Sequence, residues 1–590
     1  MDTYKLKFNR RINFTICVIL LFIGIASFAI YDVMVNRHSA YSKIIEQNEI
    51  TPNYSRVDIL DRNEKVLAQN IESTSVYISG AELQTLTDKE EVIEQASIKL
   101  SDVLEVDKKK IKRKLNSKKK FVWVARQLDE GKLKKIKELV ETGPIYDSNN
   151  IMARLSFLKF TKEYKRFYPY GSDFSHVLGF TDPSAIDALM GIEKGLSSRL
   201  KNHSAGSIRL SLDQRLQLLL RDELGKTIIA YKADGGSGVI MNVNNGEILA
   251  LSSVPDFDPN NIKQKIPKIY FNNKITQRLY EIGAIAMPIT LAIALEEGLV
   301  DEKTLFDVSQ PVTIDKYTIR DFQTFNQTYT IEDCIVYSSN ICFAKIAQLI
   351  GNEILLKYYK KLGLLDAIDL EIKETVKPLL SQNLQSVAIM TMGYGHGFAA
   401  TPLHWVKAYS NLITTEKVNP TFLLKKDKVI ESELGGIESI FSNKTASIIK
   451  NILKRKFTES FSLLTDNVSN ENPIYGGQGA NTSITFTSKE RIMTAFISFF
   501  PFDEPQYIML IMVEDPKTKS NLKSEYQFVG PSHYSWVSKN LTNNILEKMI
   551  EIDEYNLTPA FRSKLKNKNI NTKINKTMGQ WFSLSNSNTQ

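Results

Sequence analysis

A serine stands three residues ahead of a lysine at several places, among them Ser198 and Lys201, Ser520 and Lys523, and Ser563 and Lys566. On a helix that spacing sets hydroxyl and amine on one face, where the amine can take the proton of a serine attacking an acyl group. None of the three opens a buried helix, and a chain rich in Ser and Lys yields such matches by chance. Ser338-Ser339-Asn340 offers hydroxyls and a carboxamide ahead of an apolar helical stretch. The tripeptide is common, and its plainest role is to cap the helix after it. His176 stands alone in an apolar run and reads as a packed structural histidine. There are three cysteines. Cys334 and Cys342, on one continuous helix, would sit ~12 Å apart, too far for a disulfide. With Cys17 they read as small hydrophobes, and no disulfide framework is implied. No zinc spacing, RNA-binding signature or dinucleotide fingerprint occurs, so no metal, cofactor or nucleic-acid partner is expected.

The element best suited to hold a reactive group is Tyr280-Glu281-Ile282-Gly283-Ala284-Ile285-Ala286-Met287-Pro288 and its continuation. Residues 284–297 predict one helix, with Pro288 tolerable in the first turn and Gly298 as its stop. Ile289, Leu291, Ala292, Ile293, Ala294 and Leu295 make it apolar on all sides, which belongs in a core. Glu296-Glu297 follow too soon for it to span a bilayer. Residues 238–252 predict a β-hairpin turning at Asn244-Asn245-Gly246. Ser211 or Asp213 starts a helix near a domain boundary at 205–215.

With 590 residues, 43% hydrophobic and 24% charged, two or more ordinary globular domains are expected. Much of the +9 charge lies in the tail, where 559–590 hold six Lys/Arg and no acid. Residues 570–590 read as disordered. Lys5, Lys7, Arg10 and Arg11 precede an uncharged, mostly apolar run at 14–30. That run just spans a membrane with the N-terminus inside. The rival reading is a signal peptide cleaved at Ser27-Phe28-Ala29, for which the run is long. Either way the rest is exported. Residues 108–120 hold nine Lys/Arg in thirteen positions. They read as a solvated helix face and loop, with contact to anionic headgroups or glycan polymer as the functional alternative.

The order of motifs resembles the class B penicillin-binding proteins, in the division subtype. Arg56-Val57-Asp58-Ile59-Leu60-Asp61-Arg62-Asn63 is similar to the family segment that opens the pedestal, with Val57 and Glu64 in place of two glycines. Phe121-Val122-Trp123-Val124-Ala125-Arg126 also resembles a pedestal segment. Arg166-Phe167-Tyr168-Pro169-Tyr170-Gly171, His176-Val177-Leu178-Gly179-Phe180-Thr181-Asp182 and Gly191-Ile192-Glu193 match further family patterns. So does Pro255-Asp256-Phe257-Asp258-Pro259-Asn260 after the hairpin. The resemblance implies an α+β chain in four parts. These are a cytoplasmic stub and transmembrane anchor (1–35), a pedestal or dimerisation-type domain (36–210), a transpeptidase-like penicillin-binding domain (211–550) and a basic tail (551–590). The third would be β-lactamase-like, an antiparallel sheet flanked by helices.

The family assembles three motifs in one cleft. Its Ser-x-x-Lys falls here on Ala284 and Met287, which supply neither nucleophile nor base. Its Ser-x-Asn is retained as Ser338 and Asn340, whose implied roles are proton relay and substrate positioning. Its Lys-Thr-Gly falls on Gly477-Gln478-Gly479, so the cation for a substrate carboxylate is missing. Gly393-Tyr394-Gly395 beside the cleft is kept, with Thr401-Pro402-Leu403 after it; His396 could reach the cleft mouth, and structure is the expected role. The resemblance therefore implies an inner-membrane, single-pass protein with its bulk in the periplasm. It would be a scaffold or stem-peptide-binding pseudo-transpeptidase of peptidoglycan synthesis. Its anchor and pedestal would dock a polytopic glycan polymerase and other division proteins. The alternative is an active D,D-transpeptidase with a different nucleophile.

Overall fold

Strands β1 (Ile59–Leu60) and β2 (Val66–Ser79) pair antiparallel across a turn that the buried Asp61 organises. Its Oδ1 accepts from the amides of Asn63 (2.7 Å) and Lys65 (2.8 Å). Glu64, where a turn glycine was expected, takes a positive φ of 65°. The computed structural model describes residues 56–552 except 85–88, 118, 120, 143–144, 147–151, 154, 156, 183–186, 203–205, 263–265, 315, 323–326, 381–385, 425–438, 463–475, 487–488 and 518–531. The expected anchor at 14–30, Cys17 and the tail lie outside these residues. Among the described residues no helix is long and apolar enough to cross a membrane.

Contacts divide the chain into two units, one of residues 72–164 and one of 56–71 with 165 onward. In the first, helices α1 (Lys89–Leu104) and α2 (Lys108–Leu115) pack through Val92, Ala96, Leu100, Ile111 and Leu115. Asp107 caps α2, and Lys108 and Lys112 both pair with Glu94. The basic run is thus a helix with its two apolar residues inward and Lys109, Lys110 and Arg113 exposed. Strand β3 (Phe121–Leu128) pairs with the far half of β2, helix α3 (Glu130–Thr142) follows, and strand β4 (Leu158–Phe167) flanks β2 as well.

In the second unit, β5 (Ile208–Arg209) runs parallel to β1, and Asp213 caps helix α4 (Gln214–Tyr231). Buried Glu193 holds Arg56 (2.8 Å) and Arg166 (2.6 Å). Strands β6 (Gly235–Asn242) and β7 (Ile248–Val254) form the predicted hairpin, with Gly246 at φ +76°. Helix α5 (Met287–Glu296) is buried nearly throughout. Helices α6 (Ile331–Val336) and α7 (Asn340–Lys361), then α8 (Pro402–Thr414) and α9 (Asn443–Ser462), come next. Strands β8 (Gly476–Phe486), β9 (Lys489–Phe500) and β10 (Tyr507–Glu514) and helix α10 (Ser532–Glu551) end the described chain.

The sheet order is β8-β9-β10-β6-β7, all antiparallel, with β8 at one edge. Strand β10 is buried at every residue because both sheet faces are covered. Tyr507, Met509, Ile511 and Val513 pack with Leu216, Leu220 and Leu224 of α4 and Leu541, Ile545 and Met549 of α10. Ile508, Leu510 and Met512 belong to the larger core that encloses α5.

The two paired cysteines overturn the expectation of free thiols. Cys334 and Cys342 form a disulfide with Cα atoms 5.8 Å apart. The assumed continuous helix is broken: α6 stops at Val336, Ser338 takes φ +52°, and α7 starts at Asn340. That reversal halves the separation a straight helix would impose.

Candidate functional site

The mouth of α5 is a 3₁₀ turn, Gly283–Ala286, rather than the first turn of an α-helix. Gly283 at φ +64° and Pro288 near the helix start set the change. Ala284 is half-buried at this mouth, and Met287, one turn on, is 1% exposed. A methyl group offers no nucleophile and a thioether no base.

The frame around the mouth is dense with specific contacts. Gly395, at φ +85°, lies so close that a Cβ there would sit 2.1 Å from the Gly283 carbonyl oxygen. Gly393 packs on α7, where a Cβ would meet the Phe343 carbonyl oxygen at 2.3 Å. Glu281 accepts from His396 Nδ1 (3.1 Å) and the Gly397 amide (3.0 Å). The His396 bond, then the Gly397 bond, hold the Glu281 carboxyl below its ordinary value against partial burial. His396 thus props the loop of Gly393, Tyr394 and Gly395. The Tyr280 amide and carbonyl bridge to Ala400, and its hydroxyl donates to Glu514 (2.7 Å). Glu514 also takes Lys274 (2.7 Å) and Arg278 (2.7 Å). His176 is buried against the Tyr270 carbonyl oxygen (2.8 Å), and burial lowers its pKa to about 4, so its ring is neutral at pH 7.

Strand β8 passes the same mouth, with Ala480 and Thr482 against Gly283. Gly477 has no room for a side chain: a Cβ would lie 2.6 Å from the Ile497 carbonyl oxygen and 2.8 Å from the Phe496 ring. Gln478 is fully buried and donates to the Gly479 carbonyl oxygen (3.0 Å). No cation projects from Gly477, Gln478 or Gly479.

The Ser338-Ser339-Asn340 corner is largely spent on structure. Ser339 Oγ accepts from the Cys342 amide (3.0 Å) as the cap of α7 and donates to Asp321 (2.6 Å). Asn340 Nδ2 donates to the Arg320 carbonyl oxygen (3.1 Å). Asp321 also accepts from the Ile341 amide (2.9 Å), and burial raises its carboxyl pKa. Ser338 differs, because its Oγ accepts from Lys456 Nζ of α9 at 2.6 Å. The sequence carries no sign of Lys456, one cation in the run Lys454-Arg455-Lys456, or of Asp321. Of the Ser-x-x-Lys pairs named above, Ser198 and Lys201 are exposed at a short helix. The other two lie outside the described residues.

Comparison with known proteins agrees with this architecture. The family model for the penicillin-binding protein dimerisation domain matches residues 52–235, and that for the penicillin binding protein transpeptidase domain matches 236–531. A probable peptidoglycan D,D-transpeptidase FtsI of Caulobacter vibrioides is 24% identical over 84% of this chain and 81% of its own. The peptidoglycan D,D-transpeptidase FtsI of Escherichia coli is 23% identical over 78% and 79%. Stage V sporulation protein D of Bacillus subtilis is 27% identical over 78% and 74%. The crystal structure of a peptidoglycan synthetase from Bifidobacterium adolescentis superposes with TM-score 0.61 at 16% identity, over 86% of this chain and 96% of that one, and supports the fold. With a dimerisation domain followed directly by a transpeptidase domain, the chain belongs to the class B penicillin-binding proteins.

Proposed function

We propose that this chain is a pseudo-transpeptidase of septal peptidoglycan synthesis, a scaffold or stem-peptide-binding protein that does not transfer acyl groups at the mouth of α5. The observation that carries the reading is the pair Ala284 and Met287, set in a mouth whose supporting contacts are intact. Gly477 adds to it, since the substrate carboxylate finds no cation on β8. Residues 1–35 anchor the chain in the inner membrane, 36–210 form the pedestal, 211–550 the cleft-bearing domain and 551–590 a basic tail. The buried disulfide supports an exported, oxidising location for the body. The partners are a polytopic glycan polymerase and other division proteins, met through anchor and pedestal.

The test is turnover. Full-length protein in detergent is given a stem pentapeptide, and release of the terminal D-amino acid is followed, alongside capture of membrane partners by the same preparation. No release with specific partner capture is expected. Multiple turnovers of release would refute the scaffold reading and favour an active transpeptidase with another nucleophile. One observation speaks for that second reading: the contact between Ser338 and Lys456.

A further inference from the structure

From Lys108 to Leu128 the sequence holds ten Lys/Arg and no acid. Helix α2 sorts the first of these by face. Ile111 and Leu115 point into the core, and Lys108 and Lys112 share Glu94 of α1. Lys114 turns back to the Val124 carbonyl oxygen (2.7 Å). Lys109, Lys110 and Arg113 fall on the remaining side, within about 100° of one another around the helix. All three are exposed, and none forms an ion pair among the described residues. The nearby acids are engaged elsewhere: Asp107 caps α2, and Glu105 pairs with Lys132 of α3 (2.9 Å). Lys134, Lys135 and Lys137 of α3 are exposed as well, but Glu138 and Glu141 offset them. The surplus of charge therefore sits on α2 and on Lys119 in the loop after it, which is also exposed.

The outward side of one helix is convex, and these charges stand on flexible stems. Such a face suits a plane of diffuse negative charge better than a shaped ligand. An exposed apolar residue stands at each end of the cationic stretch, Val106 at 37% and Phe121 at 46%. A bilayer surface takes cations at its phosphates and apolar tips just beneath them. A glycan strand offers an aliphatic Val106 nothing. We propose that α2 docks on an anionic phospholipid surface, that of the membrane in which the chain is anchored.

The apolar run at 14–30 and Arg56 are separated by 25 residues, which reach at most ~90 Å. The inference rests on the proposed anchoring for this tether alone; the charges and apolar tips belong to the unit itself. Tethering makes the contact intramolecular, so a few weak charge contacts suffice. Each exposed cation favours the docked state on an anionic leaflet about fivefold at low salt, and three together about 100-fold. Docked in this way, the unit of residues 72–164 turns α2 to the headgroups and leaves its other faces to protein partners.

The experiment uses full-length protein with Cys17→Ser and a fluorophore on Asn116→Cys. It is reconstituted into vesicles of phosphatidylcholine alone or with about 30% phosphatidylglycerol. Asn116 is exposed at the end of α2, and the buried disulfide leaves no other thiol to label. Energy transfer to an acceptor-bearing lipid reads the docked fraction. The ratio of docked to free should be about 100-fold higher on the anionic vesicles in about 50 mM salt, and the gain should vanish in about 1 M. Lys109→Glu, Lys110→Glu and Arg113→Glu together should erase the gain with the melting temperature unchanged, since all three side chains are exposed. Lys109→Arg with Lys110→Arg keeps the charge and should keep the gain. Equal transfer on both vesicles, a gain that survives high salt, or a gain kept by the triple glutamate variant would each overturn the proposal. A probe that responds to soluble peptidoglycan strands and not to the anionic lipid would also overturn it and assign α2 to glycan. Alkaline extraction of the same vesicles reads the anchor separately. Extractable protein would refute the anchoring, while its rebinding to anionic but not neutral vesicles would still support the contact through α2.

Discussion

Replacing Cys334 and Cys342 together with alanine tests how the corner between α6 and α7 is held. The bond closes a short loop, eight residues in separation. Loop-closure entropy at that length gives about 2.5 kcal/mol, less than a long-range bridge would. Both side chains are fully buried, so the two alanines also lose packing around the missing sulfurs. The expected loss is therefore about 3 kcal/mol or more from the unit that contains the corner. The assay is urea unfolding of that unit, followed by the fluorescence of Trp405, which is buried in its core. Thiol titration of the denatured wild type supplies the control. Without reductant only Cys17 should react, and after reduction all three cysteines should. Three reactive thiols without reductant would refute the bond itself. A double variant as stable as wild type would refute the argument that the bond limits the unfolded chain.

Three further perturbations probe the frame around the mouth of α5. Glu514→Gln leaves buried Lys274 without its counter-charge and should cost about 3–5 kcal/mol in thermal or urea unfolding. Burial raises the Glu514 carboxyl, but Lys274 and Arg278 outweigh it and the net pKa is lowered. Its contribution is thus present above the unfolded value of about 4.3 and lost as pH falls through the lower folded value, an acid limb that Glu514→Gln should remove. Gly395→Ala combines a positive φ with a Cβ 2.1 Å from the Gly283 carbonyl oxygen. It should destabilise by about 2 kcal/mol or more, read as a lowered melting temperature. The double change Ala284→Ser with Met287→Lys restores two side-chain types but buries an amine where methionine is 1% exposed. It should lower stability by about 2 kcal/mol or more and yield no release of D-amino acid, because Gly477 still carries no cation. Turnover in that variant would show that β8 is dispensable.

The parts of the fold that were legible in the sequence are those set by local pattern. An all-round apolar run marked α5, and Asn244-Asn245-Gly246 between two apolar stretches marked the β6–β7 hairpin. What escaped depends on contacts between distant residues or on single dihedral angles. A straight-helix assumption between Cys334 and Cys342 missed the reversal at Ser338, and with it the disulfide. The 3₁₀ turn at Gly283–Ala286 was missed because the helix was started at Ala284, whereas Gly283 takes a positive φ and Pro288 stands near the start of the α-helix proper. Lys456 meets Ser338 only through the packing of α9 against α6, far away in sequence. Ala480 and Thr482 of β8 pack beside Gly283 at the mouth of α5.

The strand order has a consequence for synthesis. Strand β6 pairs with β7 at once, but its other edge waits for β10, with Tyr507 opposite Asn242. At ribosomal speed that interval lasts on the order of ten seconds to a minute. Throughout it the nascent chain carries an unpaired β-edge, a state prone to aggregate. A chain that stops before β10 cannot assemble its sheet. A chaperone that shields β6 and β7 until the last strands arrive should therefore govern how much of this protein reaches its folded form.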